Sequence, residues 1–222
     1  MTRQHARALG ACLVWGLLAS GPAVAQGVPP RSGTLFPPAD LGMLESPDRD
    51  IWQKPDQVMD SLGIADGSKV ADIGAGGGYF TVRLARRVGP NGVVWAEDVQ
   101  EAMLEAITRR VANEQLHNVR RVKGTGSDPL LPAGTLDAVL ILETYQEIEY
   151  VSPLVFFRNV RAALRDGGRV GVVDYKTGPG APGPDGPRPD PDTIIAVAQQ
   201  AGLRLLKRET FLPFQFFLVF VK

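Results

Sequence analysis

At 222 residues, with 44% hydrophobic and 22% charged side chains, the chain can build one domain with its own core, which excludes a disordered or fibrous protein. Lys plus Arg and Asp plus Glu each total 24, so no basic excess points to a nucleic-acid partner. Cysteine occurs once, at Cys12, and histidine twice, at His5 and His117, which excludes a disulfide framework and a histidine- or cysteine-rich metal site.

The N-terminus carries Arg3 and Arg7, an apolar run over 8–19, and the small-residue site Pro22-Ala23-Val24-Ala25. This three-part pattern predicts a signal peptide over residues 1–25, cleaved after Ala25, and a periplasmic or secreted mature chain. The run is shorter than the roughly 20 residues a bilayer crossing needs, so no transmembrane segment is expected in the mature chain. Cys12 and His5 leave with the leader. Residues 26–45 are rich in Pro and Gly and read as a flexible arm, and 46–222 as the folded domain.

From there strands and helices alternate, the signature of an α/β protein with a largely parallel sheet. A short helix over Pro55–Leu62 turns Val58, Met59 and Leu62 to one side, followed by a strand over Lys69–Ile73 and a helix over Tyr79–Val88. A strand is expected over 92–98, a helix over 101–111 with Met103, Leu104, Ile107 and Val111 as its stripe, and a strand over Val119–Lys123. The run 136–143 is apolar nearly throughout, as a buried parallel strand is. Ser152-Pro153 reads as an N-cap followed by Pro in the first turn. That helix points Phe157, Val160 and Leu164 inward and ends on Asp166-Gly167-Gly168, with Gly as the left-handed cap. A fifth strand occupies 169–174, and a Pro/Gly-rich loop over 177–191 is long enough to suggest function or disorder. A helix over 191–201 and two strands, 203–209 and 214–221, close the chain as a hairpin.

The first strand runs into Val70-Ala-Asp-Ile-Gly-Ala-Gly-Gly-Gly78, directly before a helix. Glycines there let the backbone take positive φ and a ligand come close to a helix N-terminus. A dinucleotide fingerprint needs glycine at position 79, which is Tyr79. Asp72 precedes the glycines, and a carboxylate at a buried strand end needs a cation or hydrogen-bond donors. The aminoacyl end of S-adenosylmethionine (SAM) offers a cation, whereas a pyrophosphate is repelled. A second acid closes the next strand in Trp95-Ala-Glu-Asp98; Glu97 and Asp98 both qualify to accept from ribose hydroxyls, and Asp98 is favoured.

These stretches resemble the class I SAM-dependent methyltransferases, in particular a bacterial group of exported predicted methyltransferases similar to quinone-biosynthesis enzymes. The resemblance is carried by 48–64 (DRDIWQKPDQVMDSLGI), 70–85 (VADIGAGGGYFTVRLA), 93–104 (VVWAEDVQEAML), 136–148 (LDAVLILETYQEI) and 164–175 (LRDGGRVGVVDY). It implies a Rossmann-like α/β fold, a seven-stranded mostly parallel sheet with an antiparallel terminal strand and helices on both faces. It further implies SAM as cofactor, with Asp72, Gly74, Ala75, Gly76 and Gly78 at its methionine part and Asp98 and Val99 at its ribose. Asp128 falls near the adenine position, although the family's usual acid aligns with Thr125 and a turn-forming role for Asp128 stays open. Glu143 and Thr144 end the fourth strand, at the methyl-transfer site.

Methyl transfer from a sulfonium is an in-line displacement that needs a base only when the acceptor must lose a proton. Tyr145, Glu147 and Asp174 are the base candidates, Tyr145 and Glu147 first among them. Related sequences often read Tyr-His-His or Tyr-His-Glu where this chain reads Tyr145-Gln146-Glu147. The absence of an Asn/Asp-Pro-Pro-Tyr motif and of a mature cysteine argues against methylation of amino groups on adenine or glutamine and of cytosine carbon. What remains is a methyltransferase acting on a small-molecule or lipid-like acceptor. The alternative is a catalytically weak or inactive SAM-binding module of the same fold.

Overall fold

A computed structural model describes residues 35–44, 46, 48–149, 151–177 and 188–222. The expected signal peptide, the first part of the arm and residues 178–187 of the long loop lie outside the described residues.

The described strands are β1 (Lys69–Ile73), β2 (Val93–Asp98), β3 (Val119–Lys123), β4 (Leu136–Leu142), β5 (Leu164–Tyr175), β6 (Arg204–Glu209) and β7 (Gln215–Val221). They form a single sheet in the order β3-β2-β1-β4-β5-β7-β6. Strand β7 runs antiparallel to both β5 and β6, and every other neighbouring pair is parallel. The helices are α1 (Arg49–Gln53), α2 (Pro55–Leu62), α3 (Tyr79–Val88), α4 (Glu101–Asn113), α5 (Tyr145–Glu149), α6 (Pro153–Ala163) and α7 (Pro191–Gln200), preceded by a 3-10 helix at Pro38–Leu44. No helix among the described residues is long and apolar enough to cross a membrane.

Side-chain alternation along the strands divides the core into two layers. On one face, Ala71, Ile73, Val139, Ile141, Val170 and Val172 pack with Phe157 and Val160 of α6 and Ile194 and Ala198 of α7. On the other, Val70, Ala138, Leu140 and Val173 pack with Val58 and Leu62 of α2 and Phe80, Leu84 and Val88 of α3. Strands β1, β4 and β5, buried on both faces, read as apolar runs for that reason. Strand β1 lies between β2 and β4, where the strand order reverses. Open α/β sheets form their ligand crevice at that point, beyond the carboxyl ends of the strands.

Two local expectations are corrected. Helix α6 stops at Ala163, and Leu164 already begins β5, pairing with Leu136. Gly167 does take a left-handed φ of 73°, but inside a register shift of β5 rather than at a helix end. Ser152 makes no side-chain capping bond; its carbonyl accepts from the Phe156 N–H at 3.0 Å. The working cap is at α7, where the Asp190 carboxylate accepts from the Thr193 N–H at 2.8 Å.

Phe157 is fully buried, with its ring 6.0 Å from Tyr145, 6.1 Å from Phe156 and 6.5 Å from Phe220. Truncating such a side chain removes burial and leaves a cavity, so Phe157→Ala is expected to cost about 3–5 kcal/mol in urea unfolding. A loss below about 1 kcal/mol contradicts its placement at the centre of that layer.

Candidate active site

The crevice is built on the loop between β1 and α3. Gly74 and Gly78 sit at φ of 64° and 82°, a region that side chains with a Cβ disfavour, and a Cβ at Gly74 would strike the Thr144 side chain. The amides of this loop point at the chain's own acceptors. The Gly74 N–H donates to Glu97 Oε2 (3.4 Å), Ala75 N–H to the Glu97 carbonyl (2.9 Å), Gly76 N–H to Asp98 Oδ2 (3.0 Å) and Gly78 N–H to the Ala75 carbonyl (2.8 Å). A loop whose N–H groups at Gly74 and Gly76 go to carboxylates, and at Ala75 and Gly78 to backbone carbonyls, is a poor receptor for a pyrophosphate and a good neighbour for a cation.

Carboxylates collect along this edge. Asp72 is 3% exposed and accepts from Thr81 Oγ1 at 2.6 Å. Burial raises its pKa to about 7, against the Thr81 hydrogen bond and the charge of Arg49. Glu97, the Cα neighbour of Ile73, is raised to about 8 by burial and then by the charge of Asp98, with Asp72 and Glu147 adding to it. Asp98 is also raised by burial, while the N–H groups of Gln100 (2.9 Å) and Gly76 hold its two oxygens. Glu147 in α5 and Asp174 near the end of β5 are each raised to about 7 by burial. One oxygen of Asp174 has no hydrogen-bond partner among the described residues.

The predicted residues therefore divide. Asp72, Gly74, Ala75, Gly76, Gly78, Asp98 and the adjoining Val99 come together at the β1–β2 end. Asp128 stands in a tight turn instead: its Oδ1 accepts from the Leu130 N–H at 2.9 Å, and its N–H donates to Thr125 Oγ1. Tyr145 is 1% exposed and packs into the core on Phe157, so its phenol presents no surface to an acceptor. Glu147 is half-buried at the rim and accepts from the Phe36 N–H at 3.4 Å. The same Phe36 offers its carbonyl to Gln100 Nε2 at 3.1 Å, so the arm crosses from α5 to the loop after β2.

Sequence reasoning missed the polar group around Glu143. Glu143 sits at φ 56° just beyond β4 and accepts from Gln215 Nε2 at 2.8 Å and from Arg49 Nη2 at 3.4 Å to each oxygen. The charge of Glu143 also acts on the Tyr175 hydroxyl. Arg49 Nε donates to Gln53 Oε1 at 3.1 Å, and Gln53 in turn donates to Gln215. Arg49 and Gln53 belong to α1, inside the 48–64 stretch that carries the resemblance, and their spacing of four is one helical turn. Among the described residues no group of three or more His, Cys, Asp or Glu side chains could hold a metal ion.

The switch-point crevice, the glycine turn and the acidic edge define a Rossmann-like domain built around a nucleoside that carries positive charge. Residues 70–168 match the family described as methyltransferase domain. The chain is 25% identical to a SAM-dependent methyltransferase from Aquifex aeolicus of known structure, with a TM-score of 0.72 over 83% of this chain and 98% of that one. It is 33% identical to nocamycin O-methyltransferase of Saccharothrix syringae over 57% of this chain and 43% of that protein. It is 29% identical to the ubiquinone/menaquinone biosynthesis C-methyltransferase of Pasteurella multocida over 56% and 46% of the two chains. The match thus spans less than half the length of both curated relatives. Residues 70–168 thus carry the sequence of a methyltransferase domain, and the fold of the chain is that of the SAM-dependent methyltransferases.

The raised carboxyls have a pH consequence. Unfolded, they release their protons near pH 4; folded, Asp72, Glu97, Glu147 and Asp174 keep them to about pH 7 or 8. The folded state binds more protons across that window, so ligand-free stability falls as pH rises through it. The thermal midpoint is expected to drop between about pH 5.5 and about pH 8.5, and Glu97→Gln to flatten the slope. A midpoint that climbs over the same range contradicts the acidic cluster.

Proposed function

We propose that the chain binds SAM across the β1–β2 crevice and passes its methyl group to a small or apolar acceptor. The carrying observation is the glycine loop whose Gly74 and Gly76 N–H groups go to the carboxylates of Glu97 and Asp98, in an acidic bed at the switch point. Asp72 and Glu143 face the charged amino-acid end, Gly74, Ala75, Gly76 and Gly78 let the ligand lie close, and Asp98 with Val99 takes the ribose. Asp98 already has one N–H on each oxygen, and a carboxylate oxygen has a second lone pair to offer a hydroxyl. Bound there, SAM supplies an electrophilic methyl on sulfur, and the site's work is alignment.

Glu147 is the base we assign. Its pKa of about 7 suits proton removal near neutrality, and it stands on the rim where an acceptor enters. Tyr145 serves as the packing anchor that fixes α5 beneath it. For the acceptor, Trp52 lies 6.4 Å from the Tyr175 ring and 6.1 Å from Phe214, an aromatic wall beyond β5 suited to a flat apolar molecule. Relatives named for O-methylation of nocamycin and for C-methylation in quinone biosynthesis support that reading. The leader-like pattern over residues 1–25 supports an activity outside the cytoplasm.

A second reading, a SAM-binding module without turnover, draws on one observation: the Phe36 N–H occupies the Glu147 carboxyl. Incubating the chain with methyl-labelled SAM and a periplasmic lipid and small-molecule extract separates the two. We expect a labelled product, and Asp72→Ala to lose both product and SAM binding. Glu147→Gln is expected to lower kcat by about 10²- to 10⁴-fold while SAM affinity stays within about threefold. Binding without product in the native chain favours the module, and undiminished SAM affinity in Asp72→Ala refutes the site.

A further inference from the structure

We infer that Arg49 is the receptor for the α-carboxylate of the methyl donor, an assignment that rests on the SAM reading above. The amino-acid end of SAM is a zwitterion. The acidic edge accounts for its ammonium but repels its carboxylate, which needs donors of its own. In many anion sites these would be loop amides at the start of a helix. Here the N–H groups of Gly74, Ala75, Gly76 and Gly78 are directed at Glu97, Asp98 and Ala75. The loop therefore favours the cationic half of the ligand.

Arg49 stands where the missing donor belongs. It is 6% exposed, its guanidinium centre lies 4.1 Å from the ring centroid of Tyr79, the first residue of α3, and its charge acts on Asp72. That places a planar two-pronged donor beside the glycine turn, between Asp72 and Glu143. Its hold on Glu143 is loose, 3.4 Å to each oxygen, and Glu143 keeps Gln215 as a partner when Arg49 turns to a ligand. Two other cations among the described residues near the loop are placed otherwise: Arg83 bonds Asp50 and the Tyr79 carbonyl, and Arg110 bonds the Gly77 carbonyl at 3.2 Å. A guanidinium and a carboxylate form the strong bidentate pair that this geometry invites.

The test compares two ligands that differ only in the carboxylate: S-adenosylhomocysteine and its decarboxylated counterpart, each titrated calorimetrically into the full chain. The native protein is expected to prefer the carboxylate form by about tenfold or more. Arg49→Gln should bring the ratio to about one by weakening the carboxylate form alone, and Arg49→Lys should give an intermediate ratio. A purely structural arginine would weaken both ligands alike and leave the ratio standing, which overturns the assignment. A native ratio near one overturns it as well, and that measurement, like Arg49→Lys, stands even where Arg49→Gln does not fold. A native chain that binds neither ligand refutes the SAM reading itself, and this inference with it.

Discussion

The constraint on which the site depends is the crowding of negative charge at the end of a buried parallel sheet. Strand ends at a topological switch point open into a crevice, and this chain lines its crevice with Asp72, Glu97, Asp98, Glu147 and Asp174. Isolated buried carboxylates are costly, so each is given some relief: a threonine hydroxyl, loop amides, a neighbouring arginine, or a retained proton. The glycine loop then has two roles. It leaves room for a ligand, and its Gly74 and Gly76 N–H groups hold two of the acids along the crevice.

The long elements were legible because their periodicity is. The predicted bounds of β1, α2, α3 and β3 coincide with those observed, each followed directly by a glycine. Helices α1 and α5 were not foreseen. At five residues apiece neither completes enough turns to show a stripe, and Lys54, left-handed at φ 46° before Pro55, splits α1 from α2. The misplaced end of α6 has the same origin. A glycine pair after an apolar run means a helix cap in most chains, and only strand pairing with Leu136 reveals the bulge.

The site was legible in part, along the same divide. Asp72, the glycines and Asp98 follow one another within a single strand–turn–helix–strand unit, so spacing alone brings them together. Glu97 and Asp98 are adjacent, so they point to opposite faces, and sequence could not tell that both serve the loop, one through Gly74 and the other through Gly76. The Arg49–Gln53–Gln215–Glu143 group spans most of the domain's length, and it exists only once β7 has paired with β5. Tyr145 shows the converse limit. Its place beside a strand end suggests chemistry, and its burial against Phe157 assigns it to the core.

Phe36 and Lys222 lie at opposite ends of the sheet's parallel strands. Phe36 reaches across the crevice from Gln100 to Glu147, whereas Val221 pairs with Arg169 and Lys222 bonds the carbonyls of Gly168 and Leu164, beside the start of β4. Cargo attached ahead of residue 35 therefore hangs over the mouth of the site, while cargo attached after Lys222 leaves from the far side. For anyone immobilising this domain on a surface or joining it to a second enzyme, that polarity decides which end to use: a C-terminal linkage keeps the entrance facing solution, and an N-terminal one turns it toward the support.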